Sequence, residues 1–337
     1  MLYDIVSCAG GKAKGGLERA LASKSAAATT SYLGAAMDDV AVKPPLFAYH
    51  RAVDVDDALA HLAQLGDEAK VLAGGQSLLP MLNLRLARPS ALVDVDRLGA
   101  LDFIRRDGGR LTIGALCRHR SLCDPHHEAL ADGFEVLASA ARLIGHEPIR
   151  VRGTVGGSLA HADPASEWCL VACLLDGEVV ARSETGERRI PAHAFFRGFL
   201  DTALRPDELV VALELARPGR ARAIVEHTER AGDFAVVAVG VALDLEGGRC
   251  RSASVALGGV SSTPIRSAPA EAVLVGAEVD QSVAREAGEA AASTLDAFSD
   301  VHGSAEYRRR LTVTLVERAV VRALEQASGP DPGGVGR

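Results

Sequence analysis

The chain has 337 residues, of which 48% are hydrophobic and 24% charged, enough to bury a sizeable core and to divide into two or three domains. A formal net charge of −7 argues against a nucleic-acid backbone as the main partner. No apolar run approaches the length of a membrane span, and the N-terminus lacks the basic, apolar and small-residue order of a signal peptide, so a cytoplasmic location is the expectation.

Residues 1–42 contain Gly10-Gly11-Lys12-Ala13-Lys14-Gly15-Gly16 and a Ser/Ala/Thr run over 25–31, with little apolar periodicity. They read as a flexible extension, and the glycine-lysine run lacks the Gly-x4-Gly-Lys-Ser/Thr order of a P-loop. Over 54–66, Val55, Leu59, Leu62 and Leu65 recur at helical spacing and Gly66 is the stop. A short strand is expected at 70–73, then strands at 92–95, 101–104 and 111–115, with Asp107-Gly108-Gly109 as a hairpin-type turn. Helices are expected at 132–143 and at 165–175, the second started by Asp163-Pro164; 145–157 between them reads as a loop. Later strands fall at 178–181, 209–215, 223–228, 235–244 and 250–257, and helices at 269–275, 281–295 and 305–326. This order of elements fits an α+β architecture.

Two glycine-rich loops carry most of the functional information: Ala73-Gly74-Gly75-Gln76-Ser77 and Thr154-Val155-Gly156-Gly157-Ser158. Glycine reaches φ > 0 without penalty and lets the main chain approach a ligand closely. Successive N–H groups in such turns form an anion-binding concavity, to which a serine hydroxyl adds a donor. Two of them suggest a diphosphate held from two sides. No Gly-x-Gly-x-x-Gly fingerprint opens a βαβ unit, so a Rossmann dinucleotide site is not supported.

The six cysteines, Cys8, Cys117, Cys123, Cys169, Cys173 and Cys250, are scattered and read as reduced thiols. Cys169 and Cys173, one helical turn apart, read as core residues. None of the close spacings of iron–sulfur ligation is present, so electrons from such clusters would come from another chain. His126 and His127 with Cys123 suggest a metal only superficially; a solvated helix start is the expectation, and no metal site is assigned. His146 and His161 are read as structural or supporting groups, and no residue is assigned as catalytic.

In their longer settings, Lys70-Val-Leu-Ala-Gly-Gly-Gln-Ser-Leu-Leu-Pro80 and Ile144-Gly-His-Glu-Pro-Ile-Arg150 through Thr154 to Glu167, the two loops closely resemble the FAD-binding medium subunit of the molybdenum hydroxylases. That group includes carbon monoxide dehydrogenase and xanthine dehydrogenase, and the likeness runs over 43–326. It implies a two-lobed α+β FAD-binding fold of the vanillyl-alcohol oxidase (PCMH) type over 43–218. A smaller α+β C-terminal domain over 219–326 and a disordered tail over 327–337 would complete the chain.

Carried over by position, Ala73, Gly74, Gly75, Gln76, Ser77 and Leu78 would wrap the pyrophosphate of non-covalently bound FAD from one side. Thr154, Gly156, Gly157 and Ser158 would do so from the other. Glu167 stands where the family places an acidic residue near the adenosine ribose, where a carboxylate accepts from hydroxyls. Asp163 is either a helper there or a helix cap or turn residue. Ile144, Leu209 and Val210 match positions near the flavin, or are plain core. The stretch Glu229-Arg230-Ala231-Gly232-Asp233-Phe234-Ala235 resembles an Arg-Arg-x-Gly-Asp-Phe-Ala segment, with Glu229 reversing the charge of the first arginine. Aromatic runs such as Phe195-Phe196 are more often core than cofactor box.

The resemblance further implies a molybdenum-cofactor large subunit and a small subunit with two [2Fe-2S] clusters as partners, in a dimer of heterotrimers. This chain's FAD would deliver their electrons to an external acceptor. Two rival readings are a self-contained flavin oxidase, which would often carry a histidine where this chain has Gln76, and a flavin-free scaffold.

Overall fold

The computed structural model describes residues 43–131 and 133–328. The expected extension over 1–42, with Cys8, and the tail from 329 onward lie outside the described residues.

The first lobe is small. It comprises β1 (Ala48–Arg51), α1 (Val55–Leu65), β2 (Ala69–Leu72), α2 (Leu78–Asn83) and β3 (Ala91–Asp94). Asp54 caps α1, its Oδ1 accepting from the Asp57 N–H at 2.8 Å, and Gly66 ends it at φ 53°. The three strands run parallel in the order β1-β3-β2. Ala58, Leu59 and Leu62 of α1 are buried with Val93 against the second lobe's sheet.

That sheet has five antiparallel strands in the order β4-β5-β10-β6-β7, with β4 at Ile104–Asp107, β5 at Arg110–Gly114, β6 at Glu178–Ser183, β7 at Gly186–Pro191 and β10 at Leu209–Ala216. Asp107 pairs with Arg110 across the expected Gly108-Gly109 turn. Between β5 and β6 come α3 (Val136–Leu143), α4 (Glu147–Arg152), α5 (Val155–His161) and α6 (Glu167–Leu174). Between β7 and β10 lie α7 (Ala192–Phe195), β8 (Phe196–Gly198) and β9 (Asp201–Thr202).

Every residue of α6 is buried, which is why its sequence is apolar all round instead of amphipathic. One face of the sheet packs on this helical core, and Val180, Leu209, Val211 and Ala212 join the core shared with the first lobe.

The C-terminal unit pairs β11 (Ala221–His227), β12 (Val237–Glu246), β13 (Arg249–Gly258) and β14 (Ile265–Arg266) in sequence order. Its helices α8 (Ala268–Leu274), α9 (Gln281–Ser293) and α10 (Ala305–Ser328) share a second core with the sheet. Alternation along β11 sends Ala223 and Val225 into that core, while Ile224 joins the core of α3 and α6. The Gly259 N–H donates to the Pro164 carbonyl at 2.9 Å, tying the unit to the start of α6.

The chain departs from the sequence reading at four places. The 101–104 run is not a strand: Leu101 ends a 3-10 turn and buries its side chain between the lobes, and pairing starts at Ile104. The 145–157 segment is not a loop but α4 and the start of α5, with Pro148 in the first turn of α4 and Thr154 capping α5. The Asp163-Pro164 pair does not start α6; Asp163 makes a turn and Ser166 is the cap residue. α3 begins at Val136 and not near 132. β1, α2, β7, α7, β8, β9 and β14 had no counterpart in the reading, and α10 runs on to Ser328.

Candidate functional site

Where β2 runs out, the chain turns through Ala73 to Ser77 into α2. Gly75 has φ +74°, the left-handed conformation that side chains other than glycine's resist. Gly74 lies against the second loop: a Cβ there would stand 2.1 Å from the Arg152 carbonyl oxygen and 3.0 Å from the Gly153 Cα. The two loops therefore pack directly on each other. The N–H groups of Gly74, Gly75, Gln76, Ser77 and Leu78 have no acceptor among the described residues, so five consecutive donors are left for a ligand.

The second loop is built differently. Thr154 Oγ1 accepts from the Gly157 N–H at 3.1 Å, and Ser158 N donates to the Thr154 carbonyl at 3.0 Å. Val155 N donates to Cys117 O at 3.1 Å and Gly156 N to Ala115 O at 2.8 Å. Four of the five main-chain donors of this stretch are satisfied within the chain and only the Thr154 N–H has no acceptor among the described residues, so the expectation of a row of bare N–H groups holds only for the first loop. Gly156 serves close packing instead, since a Cβ would lie 2.5 Å from the Ala115 Cβ and 2.8 Å from its carbonyl oxygen. What the second loop can turn toward a ligand is hydroxyls and uncovered glycine backbone.

A single cavity of about 610 Å³ lies against both loops, within the size range of cofactor sites. Ala73, Gly74, Gly75, Gln76, Ser77 and Leu78 line it from one side, and Thr154, Gly156, Gly157 and Ser158 from the other. Asp163, Glu167, Ile144, Leu209 and Val210 line it as well, so every residue that the sequence assigned to the cofactor borders one space. Ile144, Leu209 and Val210 are also buried core residues, so packing and lining coexist there.

The cavity also takes in residues that the sequence reading missed: Lys70, His119 and the 200–206 turn with Arg205. Only Lys70, next to a loop, had a signal to find it by; the others arrive through tertiary folding. Glu208 at the end of that turn has a buried side chain. Burial would raise its pKa, but hydrogen bonds from Arg188 at 2.6 Å and from the Arg205 N–H hold it below the usual carboxylate range.

Glu167 is the unusual charge of the site. It is 7% exposed, and burial, reinforced by Glu226, pushes its carboxyl up to about 8. Glu226, on β11, is itself pushed up by burial to about 7, and its Oε2 is buried without a hydrogen-bond partner. Glu226 thus acts on Glu167 electrostatically, from the C-terminal unit toward the start of α6.

Of the remaining candidates, Asp163 Oδ1 accepts from the Ala165 N–H at 2.9 Å, the turn role. The His146 ring packs on Gly232, where a Cβ would come within 2.3 Å of it. Burial lowers the His161 pKa, against an opposing pull from Asp163. Glu229 pairs with His302 at 3.3 Å, which gives the reversed charge a partner of its own. Phe195 and Phe196 meet edge to face in the core, and Phe234 borders the cavity. Cys169 and Cys173 are buried thiols, Cys173 pushed by burial up to about 12, and His127 caps a 3-10 turn through Nδ1.

Comparison with known proteins bears on this site directly. Residues 45–218 match the family described as "FAD binding domain in molybdopterin dehydrogenase", and 222–323 match the "CO dehydrogenase flavoprotein C-terminal domain". The chain is 41% identical to the 6-hydroxypseudooxynicotine dehydrogenase complex subunit alpha of Paenarthrobacter nicotinovorans, over 85% of this chain and 97% of that one. To the carbon monoxide dehydrogenase medium chain of Afipia carboxidovorans it is 34% identical, over 84% and 99%. Among solved structures, quinoline 2-oxidoreductase from Pseudomonas putida 86 superposes with a TM-score of 0.81 at 34% identity, over 85% of this chain and 100% of that one.

With two domain models matched in succession over 45–218 and 222–323 and relatives of this identity covered almost entirely, the chain belongs to the FAD-binding medium subunits of the molybdenum hydroxylases and carries their FAD-binding domain.

Proposed function

We propose that this chain holds FAD non-covalently between its two loops and relays electrons from a partner's iron–sulfur clusters to an external acceptor. The observation that carries this reading is the row of five open N–H donors in the first loop, facing a cavity that the second loop also lines. Ala73 to Leu78 would donate to the diphosphate from one side. Thr154 and Ser158 would add hydroxyls from the other, with Gly156 and Gly157 keeping the wall low. Glu167, helped by Asp163, would meet the adenosine ribose, and Ile144, Leu209 and Val210 would flank the flavin ring. The electron chemistry would come from the bound flavin, and the chain's own residues bind, orient and exclude water. Gln76 stands in the first loop without a nucleophilic ring nitrogen, in keeping with non-covalent binding.

In this reading the molybdenum cofactor resides on a large subunit and two [2Fe-2S] clusters on a small one, in a cytoplasmic dimer of heterotrimers. Substrate choice would then belong to the large subunit. The domain boundary is placed near Pro218, between the flavin-binding part and the C-terminal unit.

The test is to purify the chain with its native partners, record the visible spectrum and release the chromophore with acid. Extractable FAD, with iron–sulfur absorption only when partners are present, is the expected result. A chain that ignores added FAD sinks the reading and leaves a scaffold; flavin that resists extraction turns it toward a self-contained oxidase.

A further inference from the structure

Four of the second loop's five N–H groups are used internally, so on that side donors beyond the Thr154 N–H have to come from side chains. His119 stands there. Its backbone N–H donates to the Gly153 carbonyl at 3.2 Å, and its ring is so close to Gly153 that a Cβ there would lie 2.5 Å from Nε2. The residue is only 3% exposed yet lines the cavity.

The buried Trp168 fixes which nitrogen carries the proton. Its indole Nε1–H, which can only donate, reaches His119 Nδ1 at 3.0 Å, so Nδ1 is an acceptor. Burial, with Arg118 and Arg150 nearby, pushes the imidazole pKa down to about 4. The ring is therefore neutral near pH 7 and its one proton sits on Nε2. Nε2 has no hydrogen-bond partner among the described residues, and it is not a sealed, buried atom either. A donor of fixed tautomer thus opens on the cavity beside Gly153, the point where Gly74 of the first loop also touches the second.

We propose that His119 is a cofactor-binding residue that donates its Nε2–H to the diphosphate of bound FAD from the side of the second loop. The proposal rests on the FAD reading above. Trp168 is then a positioning residue that acts through His119.

The experiment strips FAD from the purified complex and titrates it back by flavin fluorescence. ADP, which carries the diphosphate without the flavin, serves as a competing probe. H119M lacks a donor, whereas H119Q keeps an N–H at similar reach. H119M should weaken FAD and ADP alike by about 10- to 100-fold, the worth of a hydrogen bond to a charged group. H119Q should recover most of that loss. Equal losses in H119M and H119Q would reduce His119 to a packing residue, and a loss for FAD with ADP untouched would move its contact to the flavin ring; either overturns the proposal. If H119M does not assemble, H119F, flat and equally without a donor, replaces it. Failure of the wild-type complex to take back FAD would instead overturn the underlying function, before any variant is compared.

Discussion

The two glycine loops look alike in sequence and differ in what their glycines are for. In the first, Gly75 adopts φ +74° and five consecutive N–H groups stay open. In the second, Gly156 lets α5 press on Ala115 just past β5, and four of the five N–H groups are taken by Cys117, Ala115 and Thr154. The first loop leaves a row of donors open; the second is mainly a packing device whose hydroxyl residues line the same cavity. A Gly-Gly-x-Ser string, or Gly-Gly-Ser, does not tell these uses apart, because the difference lies in whether a neighbouring turn and the loop's own threonine supply acceptors.

That contrast can be broken most forcefully at the glycines that allow close approach. Gly74→Ala drives a methyl into the Arg152 carbonyl and should separate the loops, with a cost above the ~1–3 kcal/mol of ordinary overpacking. Flavin content and melting temperature should fall together. Gly156→Ala should cost a similar amount, but melting should fall even in the flavin-free chain, since its clash is with Ala115 just past β5 and not with the first loop.

Titration should separate the two sides next. The stretch from Ala73 to Leu78 holds no ionisable side chain, whereas the second side leads to Glu167 and, behind it, Glu226. Both carboxyls keep their protons in the folded chain to about 8 and about 7, and the unfolded chain releases them near 4.5. Folded groups that bind protons more tightly stabilise fully below the unfolded value, and that stability is lost as pH rises through the folded values. The flavin-free chain should therefore lose stability between pH 5 and 8, on the order of a few kcal/mol. Melting curves across that range should be flatter for Glu167→Gln; an unchanged slope would remove Glu167 from the account.

Smaller effects sharpen the same division. Gly75→Ala forces a side chain into the left-handed region and should cost about 1–2 kcal/mol, with weaker FAD retention as the main readout. Thr154→Ala removes the cap of α5 and should cost about 1 kcal/mol by chemical denaturation, with Thr154→Ser restoring most of it.

Much of this was legible in the chain itself, for identifiable reasons. Helical spacing and an Asp54–Gly66 frame set α1, and alternation with a glycine turn set the β4–β5 hairpin. The candidate site residues come from two long motifs, and all of them border one cavity. The 145–157 region misled because its glycines suggested a loop, while Pro148 and Thr154, both helix-start signals, went unused. The run at 101–104 misled because an apolar cluster closing the gap between two lobes carries the same residues as a strand. His119 and Glu226 could not be found from spacing, since what makes them notable is a tryptophan and a buried carboxyl that both come from α6, far away in the chain.

The chain has one tryptophan, and Trp168 sits fully buried with its indole N–H on His119 and with Glu167 as its chain neighbour. Its emission overlaps the near-ultraviolet absorption of an oxidised flavin, so any flavin held in this cavity lies well inside energy-transfer range. The protein therefore contains its own optical gauge: a single blue-shifted emitter, bright when the cavity is empty, that should dim in proportion to filling and needs no added label.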